Sequence, residues 1–266
     1  MKGVAALTRR GNVVVMKQPT QPTPNEHPAS AADPTTGTER KVVLLTGATR
    51  GIGKSIAEDL SGDHDLILAA SSEESAEKLR STYPAAQVFV ANLADVESLE
   101  SALSGLALDR LDALVPCAGV TGHDPVRETT PEQWQRLFRI NLFSIAELVR
   151  CLLPALHRAQ GIVIAINSGA GHFSGKGFGP YAASKFALRA LTDSLREEER
   201  GRIRVSSIHP GKVDSDMQRE IQALRGNEYN AAQFIRPETI ARAVRFALET
   251  SEESMTEEIT IRPVQQ

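Results

Sequence analysis

Residues 42–53 read Val42-Val43-Leu44-Leu45-Thr46-Gly47-Ala48-Thr49-Arg50-Gly51-Ile52-Gly53. Four consecutive apolar residues with no polar alternation suit a strand buried on both faces. Glycines follow at positions 47, 51 and 53, and Ile52, Ile56, Ala57 and Leu60 then recur at helical spacing. The stretch therefore reads as a strand, a glycine-rich turn and a helix. Gly47 lets the chain leave the strand, Gly51 lets the backbone approach a pyrophosphate, and Gly53 lets the helix pack against the strand. The helix N-terminus offers unpaired N–H groups and the positive end of its dipole to the phosphates. A tight turn without a ligand would use the same residues; the strand–turn–helix context favours the ligand.

The alternation continues along the chain. Short, mostly branched runs stand at Val42–Leu45, Leu66–Leu68, Val88–Val90, Ala113–Val115, Ile162–Ile166, Val205–Ile208 and Ile259–Ile261. Between them lie helical stripes, such as Val96, Leu99, Leu103 and Leu106. Thr130-Pro131-Glu132 is a cap with proline at the first helical position, opening a long helix with Trp134, Phe138, Leu142, Ile145 and Val149 on one face. Arg236-Pro237-Glu238 opens another. The pattern predicts an α/β fold, a Rossmann-type doubly wound parallel sheet of about seven strands, in a single domain over residues 41–266.

Residues 1–40 differ. The segment 17–39 has five of the fourteen prolines and only alanines for apolar side chains, so residues 1–40 are expected to form a disordered extension. The arginines at 9 and 10 precede a short apolar run, which does not make a signal peptide. A net charge of −3 over 266 residues gives no reason to expect nucleic acid. Two cysteines, Cys117 and Cys151, exclude a disulfide scaffold and point to a reducing, cytoplasmic setting. No apolar run is expected to reach the roughly 18–20 residues of a membrane span.

A second constellation carries chemistry. Tyr181 and Lys185 are four residues apart at the start of a helical pattern, on one face. A phenol titrates near about 10 and is a poor acid or base at neutral pH; a nearby ammonium favours its ionised form. Ser168 follows the strand Ile162–Ile166, at the end of the sheet where ligands bind. Its hydroxyl is placed to hold a substrate oxygen beside that of Tyr181. Asn141 is an amide on an otherwise apolar stripe, which is odd for a residue that competes for backbone hydrogen bonds.

The TGxxxGxG spacing, followed in order by Asn141, Ser168, Tyr181-x-x-x-Lys185 and the turn Pro210-Gly211-Lys212-Val213-Asp214-Ser215, resembles the short-chain dehydrogenase/reductase family over residues 42–264. The resemblance implies an oxidoreductase reducing a ketone or aldehyde, or running the reverse, with Tyr181 as proton donor and Ser168 supporting the oxygen. It implies that Lys185 binds the nicotinamide ribose and that Asn141 holds a water beside Lys185. It places the cofactor on Gly47, Thr49, Arg50, Gly51, Ile52 and Gly53, on Asn92 and Leu93, on Ala118 and Gly119, and on Pro210, Gly211, Val213 and Ser215. Val213 would meet the carboxamide and Ser215 a phosphate. His209 reads as structural. The partners implied are a small carbonyl or alcohol and further copies of the chain, as a homodimer or homotetramer. A non-catalytic NADP(H) sensor is the alternative, against which the intact Tyr181–Lys185 pair argues. No metal ligand is expected.

The sequence departs from the family pattern twice. Pro116-Cys117-Ala118-Gly119 has cysteine where the family has a sheet-bracing asparagine, and a thiol is only a weak hydrogen-bonding group. Cys117 reads as a small buried hydrophobe. The second strand ends Ala69-Ala70-Ser71-Ser72, without an acid to bind the ribose hydroxyls of NAD. Arg50 supplies a guanidinium suited to a 2′-phosphate, with Ser71 or Ser72 alongside, so NADP(H) is expected over NAD(H). The substrate pocket is expected between residues 169–179, with His172, Phe173 and Phe178, and a short loop from Val213 to Arg236.

Overall fold

A computed structural model describes residues 40–264; the extension expected to be disordered otherwise lies outside the described residues. Arg40, counted with that extension, belongs to the fold. Its guanidinium donates to the carbonyls of Ser61, Gly62 and His64 and pairs with Asp65 at 2.9 Å.

Seven strands form one parallel sheet: β1 (Lys41–Thr46), β2 (His64–Ala70), β3 (Gln87–Val90), β4 (Ala113–Val115), β5 (Ile162–Ile166), β6 (Arg204–Pro210) and β7 (Glu258–Ile261), in the order β3-β2-β1-β4-β5-β6-β7. Because the central strands are largely apolar, alternate residues feed two separate cores. Val43 and Leu45 of β1 and Ile162 and Ile164 of β5 face one, with α1 (Gly51–Leu60), α2 (Glu73–Thr82) and α8 (Pro237–Glu249). Leu44 and Val163 face the other, with α3 (Leu99–Ser104), α5 (Ser144–Ala159) and the far end of α6 (Gly179–Glu198). The chain winds outward from β1 through β2 to β3, then returns to β4 on the other side of β1. The carboxyl ends of β1 and β4 flank this reversal, where open α/β sheets bind ligands.

The helix predicted from Thr130 begins there. Thr130 and Gln133 cap it reciprocally, at 2.8 and 3.3 Å, and α4 runs Pro131–Phe138. It does not continue regularly. Residues Arg139–Phe143 form a π turn before α5. Of the expected stripe, Ile145 and Val149 are buried, whereas Trp134, Phe138 and Leu142 are only half-buried and Leu137, Asn141 and Leu148 are buried in their place. The continuous stretch Pro131–Ala159 is, by length and composition, apolar enough to cross a membrane, contrary to expectation. Its Leu148, Leu152 and Leu156 pack into the second core, as in a core helix of a globular protein.

The β1–α1 turn is the tightest contact in this frame. A Cβ on Gly53 would lie 2.1 Å from the Gly47 carbonyl oxygen, which is rigid backbone. On Gly62 it would meet nothing within 4 Å. Gly53→Ala should therefore cost at least about 1–3 kcal/mol in urea unfolding, the usual range for overpacking. Gly62→Ala should be neutral or stabilising by about 0.4–1 kcal/mol. Equal effects would show that the turn is not close-packed.

Candidate active site

A cleft of about 490 Å³ opens at the strand reversal. The glycine-rich turn forms its floor: Gly47, Thr49, Arg50, Gly51, Ile52 and Gly53 all line it. Gly47 (φ +78) and Gly51 (φ +53) adopt backbone angles that L side chains rarely take. A Cβ on Gly47 would also lie 2.9 Å from the Ala118 backbone. The Thr46 hydroxyl accepts the N–H groups of Cys117 (3.1 Å) and Ala118 (3.0 Å), joining the ends of β1 and β4. The brace expected to be weakened by Cys117 is thus partly supplied by Thr46.

The other walls hold further predicted positions: Ser71, Asn92, Leu93, Ala118, Gly119 and Ser215. The Asn92 Oδ1 accepts the Ala94 N–H at 3.1 Å. Ser72 points elsewhere, capping α2 with a reciprocal Ser75 bond. Glu73, the first acid beyond β2, pairs with Arg80 at 3.3 Å. Arg50 is 62% exposed, and its nearest carboxylates, Asp216 and Glu220, are 3.8 Å away. Ser215 caps α7 (Asp216–Leu224) by accepting the Gln218 N–H at 3.3 Å. Pro210, Gly211 and Val213 stand behind the lining rather than in it. Val213 is buried in a bridge to Ile235 whose hydrogen bonds use the Lys212 carbonyl and the Asp214 N–H. Arg136 and Met217 also line the cleft. Met217 belongs to the loop expected to wall the pocket; Arg136 was not foreseen, because only the placement of α4 turns it inward.

Beside the cleft, Asn141, Ser168, Tyr181 and Lys185 come together from three elements. Tyr181 and Lys185 occupy the first turns of α6, and Ser168 follows β5. The Ser168 hydroxyl accepts the Ala170 N–H at 3.1 Å and forms a hydrogen bond with the Tyr181 side chain. Lys185 Nζ donates to the Ile166 carbonyl at 3.1 Å. A Cβ on Gly119 would lie 3.3 Å from Asn141 Oδ1 and 3.9 Å from Lys185 Nζ, so both side chains border the β4 loop. Asn141 is fully buried inside the π turn. Its amide donates to the Val120 carbonyl (2.9 Å) and to Ser184 Oγ (3.0 Å), and its Oδ1 accepts the Val120 N–H (2.9 Å). Ser184 in turn donates to the Tyr181 carbonyl at 2.7 Å. Both Asn141 amide hydrogens thus have protein partners. The side chain clamps the β4 loop to α6, a role its expected water-holding function did not include.

The whole arrangement matches a known pattern: residues 41–225 fit the family model described as short chain dehydrogenase. The chain belongs to the short-chain dehydrogenase family. This dehydrogenase is 32% identical over 237 residues to the glycine betaine reductase of Emericella nidulans, covering 84% of its own length and 19% of that longer protein. It is 31% identical over 189 residues to the 3-oxoacyl-[acyl-carrier-protein] reductase of Escherichia coli, covering 69% of this chain and 78% of the bacterial one. Among solved structures it resembles the alcohol dehydrogenase of the archaeon Thermococcus sibiricus, complexed with 5-hydroxy-NADP. The TM-score is 0.74 at 27% identity, over 86% of this chain and 98% of that one.

The electrostatics of the dehydrogenase differ from the expectation in one respect. Burial raises the Tyr181 phenol above its usual value, and the Ser168 hydrogen bond opposes this only in part. The Lys185 ammonium is itself destabilised by burial, which brings it from 10.5 down to about 8, with a smaller opposing effect from Cys117. The Cys117 thiol is pushed up to about 12 by burial, although Lys185 pulls the other way. It is therefore a neutral thiol packed against the first core, not a thiolate.

Of the predicted pocket walls, Phe178 stands edge-on to Tyr181 at 6.4 Å, whereas Phe173 is exposed and His172 lies against His209, its ring tilted at 52°. Tyr229 stacks on Phe234 and bonds Asp214.

The lowered Lys185 value has a measurable sign. Between about pH 8 and 10.5 the unfolded chain holds more proton at this position than the folded one, so the folded state gains stability as pH rises. Lys185→Met lacks that gain. The stability of the cofactor-free protein relative to Lys185→Met, from urea unfolding, should rise across this window. A flat difference would show that Lys185 is not buried as charged lysine at neutral pH.

Proposed function

We propose that this dehydrogenase reduces a ketone or aldehyde with NADPH, or oxidises the corresponding alcohol with NADP⁺. The meeting of Tyr181, Ser168 and Lys185 at the edge of a glycine-floored cleft carries the reading. The cleft fits a dinucleotide: no side chain stands at Gly47, Gly51 or Gly53, and the exposed Arg50 has only loose acidic partners. When bound, NADPH supplies a hydride from its nicotinamide ring. Arg50, with Arg136 as a second cation on the lining, supports a 2′-phosphate, and no acid of the β2 end competes for the ribose. The alcohol dehydrogenase of Thermococcus sibiricus, complexed with an NADP derivative, supports the same choice. The remaining cleft positions fit the cofactor roles expected for Asn92, Leu93, Ala118, Gly119 and Ser215.

Tyr181 keeps its proton through neutral pH, the state needed to donate to an oxygen gaining negative charge. Ser168 Oγ holds that oxygen in place. Lys185, beside Gly119 and Asn141, becomes fully charged when a polar ligand replaces part of the solvation it lacks, and then favours the Tyr181 phenolate left after proton transfer. The reductases of Emericella nidulans and Escherichia coli are consistent with a carbonyl substrate.

The mouth favours a substrate with an anionic end. Three loops meet there: Arg225 stacks over Phe178 at 4.8 Å, next to Tyr181, and donates to His123 Nε2 at 3.2 Å. Arg225 has no carboxylate partner among the described residues. Exposed Phe143 and Phe186, on the π turn and α6, suit the expected contact between copies in a dimer or tetramer.

The test is cofactor oxidation by the purified protein against a panel of neutral ketones, aldehydes and oxo acids, with NADPH and NADH. NADPH should be consumed faster, and Tyr181→Phe should lower turnover at least about 100-fold, within the usual range for proton-transfer catalysis. NADPH affinity should stay within a few-fold. Unchanged turnover in Tyr181→Phe would refute the proton donor, and faster use of NADH the cofactor. Cofactor binding without turnover on any member would favour a regulatory NADP(H) binder.

A further inference from the structure

Behind Ser168, on the side away from the glycine-rich turn, three side chains converge from the turn after β5, from β6 and from β7. His172, His209 and Glu258 each present one nitrogen or oxygen, and these atoms lie within 4.8 Å of one another. The two imidazoles lie tilted at 52° with centroids 4.3 Å apart, and His209 Nε2 is 3.7 Å from Glu258 Oε1. We propose that His172 Nε2, His209 Nε2 and a Glu258 oxygen bind a zinc-type transition-metal dication.

The protonation pattern makes His209 a ready ligand. The ring is fully buried, and its Nδ1 faces the Ser168 carbonyl at 3.2 Å. A carbonyl only accepts, so Nδ1 carries the hydrogen and Nε2 presents a bare lone pair. Metal-binding histidines adopt this arrangement, with the second ring N–H fixed by a backbone carbonyl. The lone pair has no partner. Buried side-chain polar atoms without a hydrogen bond are rare in folded proteins. Among the described residues four are found, and two of them, His172 Nε2 and His209 Nε2, belong to this cluster.

The donor set selects the ion. Two imidazoles and one carboxylate suit zinc and its neighbours rather than magnesium or calcium, and three protein ligands leave a fourth position for water. Ligands on a tetrahedral zinc stand about 3.3 Å apart, given bonds of about 2.0–2.1 Å. The site must therefore contract on binding, chiefly by movement of Glu258 at the exposed edge and His172 on its turn. Arg189 now holds Glu258, with its Nε at 3.3 Å, and has Asp193 at 3.8 Å as a second partner. The ion would displace this guanidinium. Through His209 it would also fix the Ser168 carbonyl, making His209 a positioning residue for the turn that presents Ser168.

The experiment uses untagged, chelator-treated full-length protein titrated calorimetrically with zinc chloride at neutral pH, with magnesium chloride as control. One zinc per chain should bind, and magnesium should not. His172→Ala and Glu258→Gln should each weaken binding at least tenfold, with far-UV circular dichroism checking the fold; His172→Asn replaces His172→Ala if that variant does not fold. Absence of zinc binding, or binding of unchanged strength in either folded variant, would overturn the site. The readout does not require turnover, so it stands apart from the test of carbonyl reduction.

Discussion

The buried amide of Asn141 is the interaction on which the catalytic geometry depends. Three hydrogen bonds tie it to Val120 and Ser184, and Ser184 holds the Tyr181 carbonyl. The loop after β4 borders the cleft, while α6 carries Tyr181 and Lys185. The amide adds a buried polar tie to the packing of His123 on Phe178 and of Val126 against Gly179. A buried amide needs its partners, because leaving its donors and acceptor unpaired costs about 1–3 kcal/mol for each group. That requirement explains the π turn: a regular helix from Pro131 to Ala159 would carry Asn141 on a different heading. Such turns recur at functional sites for this reason.

The clamp also explains why a costly lysine is tolerated. Lys185 is buried with one carbonyl partner, Ile166, in a region otherwise packed for stability. Cys117 beside it offsets the cost of burial only in small part. The family's usual asparagine would offer more polar capacity at that place. Here the Thr46 hydroxyl carries the backbone bracing, and the thiol only fills space. Burial destabilises the Lys185 ammonium, a cost consistent with the role proposed for it.

Much of this was legible in the sequence because it is local. Glycine spacing, the seven apolar runs and the Thr130 cap each act within a few residues, and each stands where it was read. The glycine-turn positions of the cleft followed from that spacing, and Asn92, Leu93, Ala118, Gly119 and Ser215 from the family resemblance. What was not legible arises between elements. The π turn is set by Asn141 bonding to Val120 and Ser184, which no periodicity records. Arg136 faces the cleft only because α4 is placed over it. Tyr181 and Lys185 were expected to couple simply because they are four residues apart, yet burial dominates both. His172, His209 and Glu258 are remote in sequence, and only the order β5-β6-β7 brings them together.

The most direct measurement is single-turnover hydride transfer in Asn141→Ala, followed by stopped-flow NADPH absorbance with the best carbonyl substrate. Removing the amide should loosen α6 from the β4 loop and slow the transfer at least about tenfold, since a misplacement near 1 Å can cost about a hundredfold. NADPH affinity should change only a few-fold. A folded Asn141→Ala protein with the wild-type transfer rate would contradict the account.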